Sequence, residues 1–591
     1  MITKSELDRI TGYLKTGQSK AALKICKAGM KRSPKEAAFA HLAGTALSQA
    51  GQPREGAQYF MKALKLAPGN RASQDNLVNA LVQSEQFDKA RKLINTLLAE
   101  RKRDPMLSYQ LGALEFQSLN PNAAEAALTD CIDALQGTRD PTLRNTLMRA
   151  YALRGRHHEL TWDNTAARND FAAALQIAPN NPGIMANYAG CLAVELKNDA
   201  AIELLEKALA INPNSVRALM QYGNTLNQIA RRSEAIEIFG KVLQREPQHA
   251  GALLQLSYAS GNDEYEESAR ALKTAFQKTA TGSYEQGQIA FALARTHEKA
   301  GARDEANTWY AKANGIVSSV RAYEPEKSQA RFDRHRALFA APPFPKGEID
   351  PNAARPIFVI GQPRSGTTLT EMTLSAHPDI AGVGEQSIAG ALANAYLTGK
   401  KTYDADAATA FARQYREELP DLPEGAKYFV DKMPGNYQNV GFLLTAFPNA
   451  VILNISRDPR DVAWSMWRVM FPALGLNYTF DMAAMAQEAN LYRRYIEHWK
   501  SVFPGRIHDV HYEELVADIE GQSRRMAELC ETNWVEEMAR PDKNKAPVRT
   551  ASIHQVRQKV STKSVGGWRS HEEIFVPFHE NLDPDLWPGL G

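Results

Sequence analysis

The chain has 591 residues, 44% hydrophobic and 23% charged, which is too long for one ordinary core and typical of soluble globular domains, so at least two domains are expected. A formal net charge of +3 excludes a strongly basic nucleic-acid surface, and any anion site must come from a local cluster of basic groups. No apolar run approaches the length of a membrane span, and MITKSELDRITGYLKTGQ is polar where a signal peptide needs an apolar core. Cys26, Cys131, Cys191 and Cys530 are scattered without metal-ligand spacing, so they read as buried thiols. The expectation is a cytoplasmic protein with no metal.

In chain order, the first half is periodic. Prolines recur at Pro34, Pro68, Pro105, Pro141, Pro179, Pro213 and Pro247, and several gaps are 34 residues. Each is expected just past a helix, where the missing N–H and fixed φ stop it. Within the period, small residues precede a large apolar one: Ala43-Gly44 then Phe60, Tyr222-Gly223 then Ala235 and Phe239, Tyr188-Ala189 then Ala201 and Leu205. Small residues let two helices approach, and the large side chain fills the space beside them.

This pattern resembles the tetratricopeptide repeat, which implies an α-solenoid over residues 1–320, with a last irregular unit around Ala294, Gly301, Ala306, Tyr310 and Ala313. Such arrays offer a groove to peptides, but others are dimerisation surfaces or spacers. Docking of a polypeptide and self-association both stay open.

Residues 321–354, with the proline-rich APPFPKGEIDPNAARP, read as a linker. From 355 to 591 the grammar changes to short apolar runs, each followed by a helical stretch: RPIFVIG, KYFVDK, NAVILNIS and RIHDV. That alternation predicts a three-layer α/β domain with a parallel sheet, and ligands at the carboxyl ends of its strands.

RPIFVIG runs into QPRSGTTL, with Gly361 and Gly366 at the spacing of a phosphate loop and Thr367 and Thr368 opening a helix. The lysine of a nucleoside-triphosphate loop is replaced by Thr367, and Arg364 stands inside the loop instead. PRSGTTL followed by AHPDIAGVGE resembles the 5′-phosphosulfate loop of sulfotransferases that use 3′-phosphoadenosine 5′-phosphosulfate (PAPS), the tyrosylprotein branch above all. The resemblance covers roughly residues 355–575. It implies that Arg364, Ser365, Gly366, Thr367 and Thr368 contact the donor, with Arg364 at the transferring sulfuryl group or the 5′-phosphate.

NAVILNIS ends in Arg457, Asp458 suits an N-cap and Pro459 the first helical position. Arg457 and Ser465 match the family's 3′-phosphate motif. Arg460 reads as a solvated helix charge, and Arg468 as open between the two roles. The resemblance further implies Glu385 as general base, Lys432 and Ser552 at the leaving group, Tyr512 lining the nucleotide, and Lys563 in a closing loop where Lys559 and Arg569 also qualify. Glu385 could instead serve only as a helix N-terminal carboxylate. His377 reads as shaping a turn.

The resulting expectation is PAPS-dependent sulfuryl transfer to a hydroxyl of a protein, glycan, lipid or small alcohol. The alternatives are a magnesium-dependent phosphotransferase and a repeat scaffold with an inactive domain. The absent loop lysine and the Arg457/Ser465 pair weigh against the first. The retained Arg364, Glu385, Lys432, Arg457, Ser465 and Ser552 weigh against the second.

Overall fold

Nineteen α-helices precede the first strand in the computed structural model, which describes residues 2–118, 120–259, 265–544, 546 and 558–590. The small-against-large rule of the repeats is visible in their packing. A Cβ at Gly29, Gly44, Gly112, Gly155 or Gly223 would come within 2.4–2.7 Å of Phe39, Phe60, Leu128, Phe171 or Phe239 respectively. Close approach of the paired helices therefore depends on the missing side chain. Pro34, Pro68, Pro179, Pro213 and Pro247 lie just beyond helix ends, as expected. Pro105 and Pro141 do not. They are the first residues of the Pro105–Gln117 and Pro141–Leu160 helices, in the first turn, where the N–H groups have no intrahelical acceptor to lose.

The chain divides into two compact units, Met1–His157 with Asn169–Pro179 and His158–Arg168 with Asn180–Gly591. The division falls inside the repeats rather than at residue 320. Its physical reason lies in the second unit, where the last repeat helices share one core with the α/β domain. Phe291, Tyr310 and Val317 of the Tyr284–Lys299 and Arg303–Val320 helices join Val462, Met466, Phe480 and Met485 in it. Asn314 Nδ2 donates to the Trp467 carbonyl at 2.9 Å and Arg321 Nη1 to that of Pro472 at 2.7 Å.

The stretch expected as a linker, 321–354, carries a further helix, Pro325–Leu338. Phe332, His335 and Phe339 from it and its end are buried. Phe339 packs edge-on against Phe442 and Trp499. The proline-rich composition marked only the segment after this helix.

Five parallel strands follow, β1 (Arg355–Gly361), β2 (Ile380–Gly384), β3 (Tyr428–Asp431), β4 (Val451–Ser456) and β5 (Ile507–His511), in the order β2-β3-β1-β4-β5. The period-two pleat of β1 sends Phe358 and Ile360 into one core with Phe429, Phe442 and Trp499, and Ile357 and Val359 into another with Leu453, Leu515 and Met526. Helices cover both faces, which gives the three layers. The order reverses at β1, so the crevice between β1 and β4 is the switch point where open α/β sheets hold ligands.

Candidate active site

All five strands deliver a singled-out residue to the carboxyl edge of the sheet. Glu385, Lys432, Arg457 and Tyr512 directly follow β2, β3, β4 and β5, and Arg364 stands three residues beyond β1. The loop after β1 is shaped by backbone. Gly366 caps the Thr367–Leu374 helix at φ 108°, and its absent Cβ would sit 2.3 Å from the Tyr512 ring. Arg364 itself takes φ 71°, unusual for a side chain of its size. Ser365, Thr367 and Thr368 are buried at this turn, and Ser365 Oγ has no hydrogen-bond partner among the described residues.

The β4 side closes on the loop. Arg457 Nη1 donates to the Arg364 carbonyl at 3.1 Å and Nη2 to the Ser564 carbonyl at 2.6 Å, while its guanidinium lies 4.3 Å from the centre of the Tyr512 ring. Its Nε is buried without a partner among the described residues. Arg364 Nε donates to Ser465 Oγ at 2.9 Å. Burial, then Arg468 and Arg457, push the Arg364 guanidinium down to about 10.

Two residues read differently from sequence. Arg460 is not solvated: it forms a fork with its own N-cap, Asp458, at 2.9 Å and stacks 4.1 Å from the Trp568 ring centre. Arg468 is tied to the repeats, donating to Glu298 Oε1 at 2.5 Å. Glu298 also accepts from Arg295 and Tyr310, at 2.7 and 2.8 Å. Burial pushes the Glu298 carboxyl up, but Arg468 and Arg295 outweigh it and hold it below the usual range.

On the β3 side Lys432 is wholly buried and pairs with Glu385, with Glu371 of the Thr367–Leu374 helix 3.9 Å away. Burial raises the Glu371 carboxyl to about 7. Asp431 is likewise raised to about 7 by burial, and it accepts from Tyr415, Gln386 N and Asn436. Glu385 directly follows IAGVG, the edge strand β2, and stands two residues before Ser387, the N-cap of the Ile388–Leu397 helix. His377 is buried with Nδ1 accepting from Asp379 N at 3.1 Å, so it does shape the turn.

The C-terminal segment reaches the site through residues that sequence reasoning passed over. Tyr512 OH lies 2.8 Å from Ser564 Oγ, and Asp461 accepts from Gly566 N and Trp568 N at 2.7 and 3.2 Å. His571 stacks on Trp464 at 3.8 Å and bonds Asn307 of the repeats at 2.9 Å. Lys563 is exposed beside Ser564, and Lys559 and Arg569 are exposed as well. Ser552 lies outside the described residues. Glu371 was findable in principle as the one carboxylate in TLTEMTL, a helix with no other charge. Glu298 and Asp461 look like ordinary surface acids in sequence.

Fold and site together define a parallel α/β domain with a glycine-shaped loop after β1, arginines beside it, and a buried lysine–carboxylate group. Residues 356–536 match the sulfotransferase family, and residues 47–110 and 195–256 match the tetratricopeptide repeat. The chain thus joins tetratricopeptide repeats to a sulfotransferase-family domain. An uncharacterized protein of Aquifex aeolicus (strain VF5) is 31% identical over 54% of this chain, which spans 44% of that relative's length. A putative protein-tyrosine sulfotransferase of Caenorhabditis briggsae is 27% identical over 36% of this chain and 80% of its own. The sulfotransferase domain of the Synechococcus PCC 7002 olefin synthase is 18% identical over 38% of this chain and 92% of its own, with a TM-score of 0.29. Among the described residues no helix is long and apolar enough to cross a membrane.

Proposed function

We propose that this domain transfers a sulfuryl group from PAPS to a hydroxyl, and that the repeats help to dock a polypeptide acceptor. One observation carries the reading: a second basic site, Arg457 with Ser465, adjoins the loop after β1 at the switch point, each bonded to the loop's Arg364. Ser365 Oγ and Arg457 Nε, buried without partners among the described residues, are donors suited to anion oxygens at both places. A triphosphate-dependent enzyme has no need of the second basic site, whereas PAPS carries a phosphate on its 3′ oxygen.

In this reading Glu385 takes the proton of the acceptor hydroxyl as the new S–O bond forms. The S–O bond to the 5′-phosphate oxygen breaks, and Lys432 and Arg364 meet the charge left on that oxygen. The polypeptide acceptor is supported by Asn164 Nδ2, which reaches Ser387 Oγ at 3.2 Å, two residues from Glu385. Thr165 reaches Glu418 at 2.7 Å. The protein-tyrosine sulfotransferase named among the relatives points the same way.

Calorimetric titration of the full chain with 3′,5′-adenosine bisphosphate and with ATP and magnesium tests the donor. Tighter binding of the bisphosphate is expected. Preference for ATP with magnesium would transfer the domain to phosphoryl chemistry.

A further inference from the structure

Three elements of the site converge on a carboxylate that the reaction itself does not use. Glu371 lies on the helix opened by the phosphate loop, is 8% exposed, and projects under the carboxyl ends of β2 and β3. Its Oε1 accepts from Gly384 N at 2.9 Å, so it holds the backbone immediately before Glu385. Its Oε2 lies 3.9 Å from the buried Lys432 Nζ, whose other partner is Glu385. The charged groups bearing on it are thus Lys432 and Glu385, with Asp431 behind them on β3.

A buried ammonium needs a compensating charge at every stage of a reaction. Glu385 supplies one only while it is ionised. When nucleotide binds, its 5′-phosphate brings a further anion to Lys432, so that three acids then face one ammonium. We propose that Glu371 is a positioning residue, the second carboxylate of Lys432, which holds the lysine beside Glu385 in the free protein and gives up its charge, by taking a proton, when the nucleotide's 5′-phosphate arrives. This rests on the sulfuryl-transfer reading above. Burial places the ionisation of Glu371 near neutrality, at about 7.

The proposal fixes the sign of a proton linkage. The 5′-phosphate of bound bisphosphate draws the field of Lys432 to itself and adds negative charge, so Glu371 takes up a proton on binding. Calorimetry of the full chain with 3′,5′-adenosine bisphosphate, in buffers of different ionisation enthalpy between about pH 6 and 8, counts that proton. Wild type should take up a substantial fraction of a proton beyond the ligand's own ionisation. Glu371→Gln, close in shape, should abolish the excess and bind several-fold tighter than wild type at about pH 8, with equal affinity at about pH 6. In a Lys432→Met background the same substitution should no longer change the affinity ratio between the two pH values. A structural role alone would lower affinity evenly across pH and leave the proton count unchanged. Unchanged uptake in Glu371→Gln overturns the proposal, as does a wild-type count of zero, which decides the matter even if the variant does not fold. Failure of wild type to bind the bisphosphate at all is a different outcome, and it removes the sulfuryl-transfer reading together with what rests on it.

Discussion

Truncating Arg457 to alanine should weaken 3′,5′-adenosine bisphosphate binding by roughly 10- to 150-fold while sparing adenosine 5′-monophosphate. The size follows from how the guanidinium is engaged. Nη1 and Nη2 are directed at the Arg364 and Ser564 carbonyls, and Nε alone is buried without a partner among the described residues. That leaves one principal donor for a phosphate oxygen. A hydrogen bond to a charged group contributes about 1.5–3 kcal/mol, and about 1.4 kcal/mol is a factor of ten. The side chain is only 7% exposed, so solvent screening does not reduce this much. The two occupied donors also brace the loop and the Ser564 segment, and loss of that bracing would affect any adenine nucleotide. Parallel calorimetric titrations of both ligands against wild type and Arg457→Ala separate the two effects. Equal losses for the two ligands would mean that Arg457 shapes the loop and does not read the 3′-phosphate. No loss for the bisphosphate would place the 3′ site elsewhere.

Glu298→Ala should lower stability by about 1–2 kcal/mol, read as a shift in denaturant midpoint, because it leaves Arg468 and Arg295 partly buried without their shared carboxylate. Bisphosphate affinity should fall with it if the repeats tune the site's arginines, and an unchanged midpoint would show that water replaces the carboxylate at no cost. Acid should destabilise the second unit through His335, whose imidazole burial holds down at about 3, against about 6.5 in the unfolded chain. The unfolded chain then binds the extra proton, so this contribution is complete above about pH 6.5 and is lost as pH falls, by about 2 kcal/mol at about pH 5. The melting temperature measured between those pH values should fall less steeply in His335→Phe, and an identical slope would refute the assignment.

Much of the site was legible because its chemistry is local. A glycine loop running from a strand into a helix, an arginine at a strand end, and a lysine or tyrosine directly after an apolar run are all short patterns. A parallel sheet carries each such residue to the same edge without further instruction. The repeats were equally plain, since their spacing is set by the length of one helix pair and by the small-against-large contact within it. Edge strand β2 was not among the four predicted runs because IAGVG has two glycines and only two β-branched residues, a weak local strand preference. The Pro325–Leu338 helix was hidden by charge, for PEKSQARFDRHRAL buries only Phe332 and His335 along its length.

Sequence by itself therefore determined the two architectures and the residue types that directly follow the strands. Tertiary structure decided which charges face one another. Glu298 answers Arg468 across 170 positions of the chain, Asp461 receives the backbone of Gly566 from 105 away, and Glu371 stands beneath Lys432. Such pairings depend on distance in space, which no local pattern encodes. An acid on a helix is indistinguishable from a solvated one until folding removes the water around it and leaves a particular cation as its only compensation.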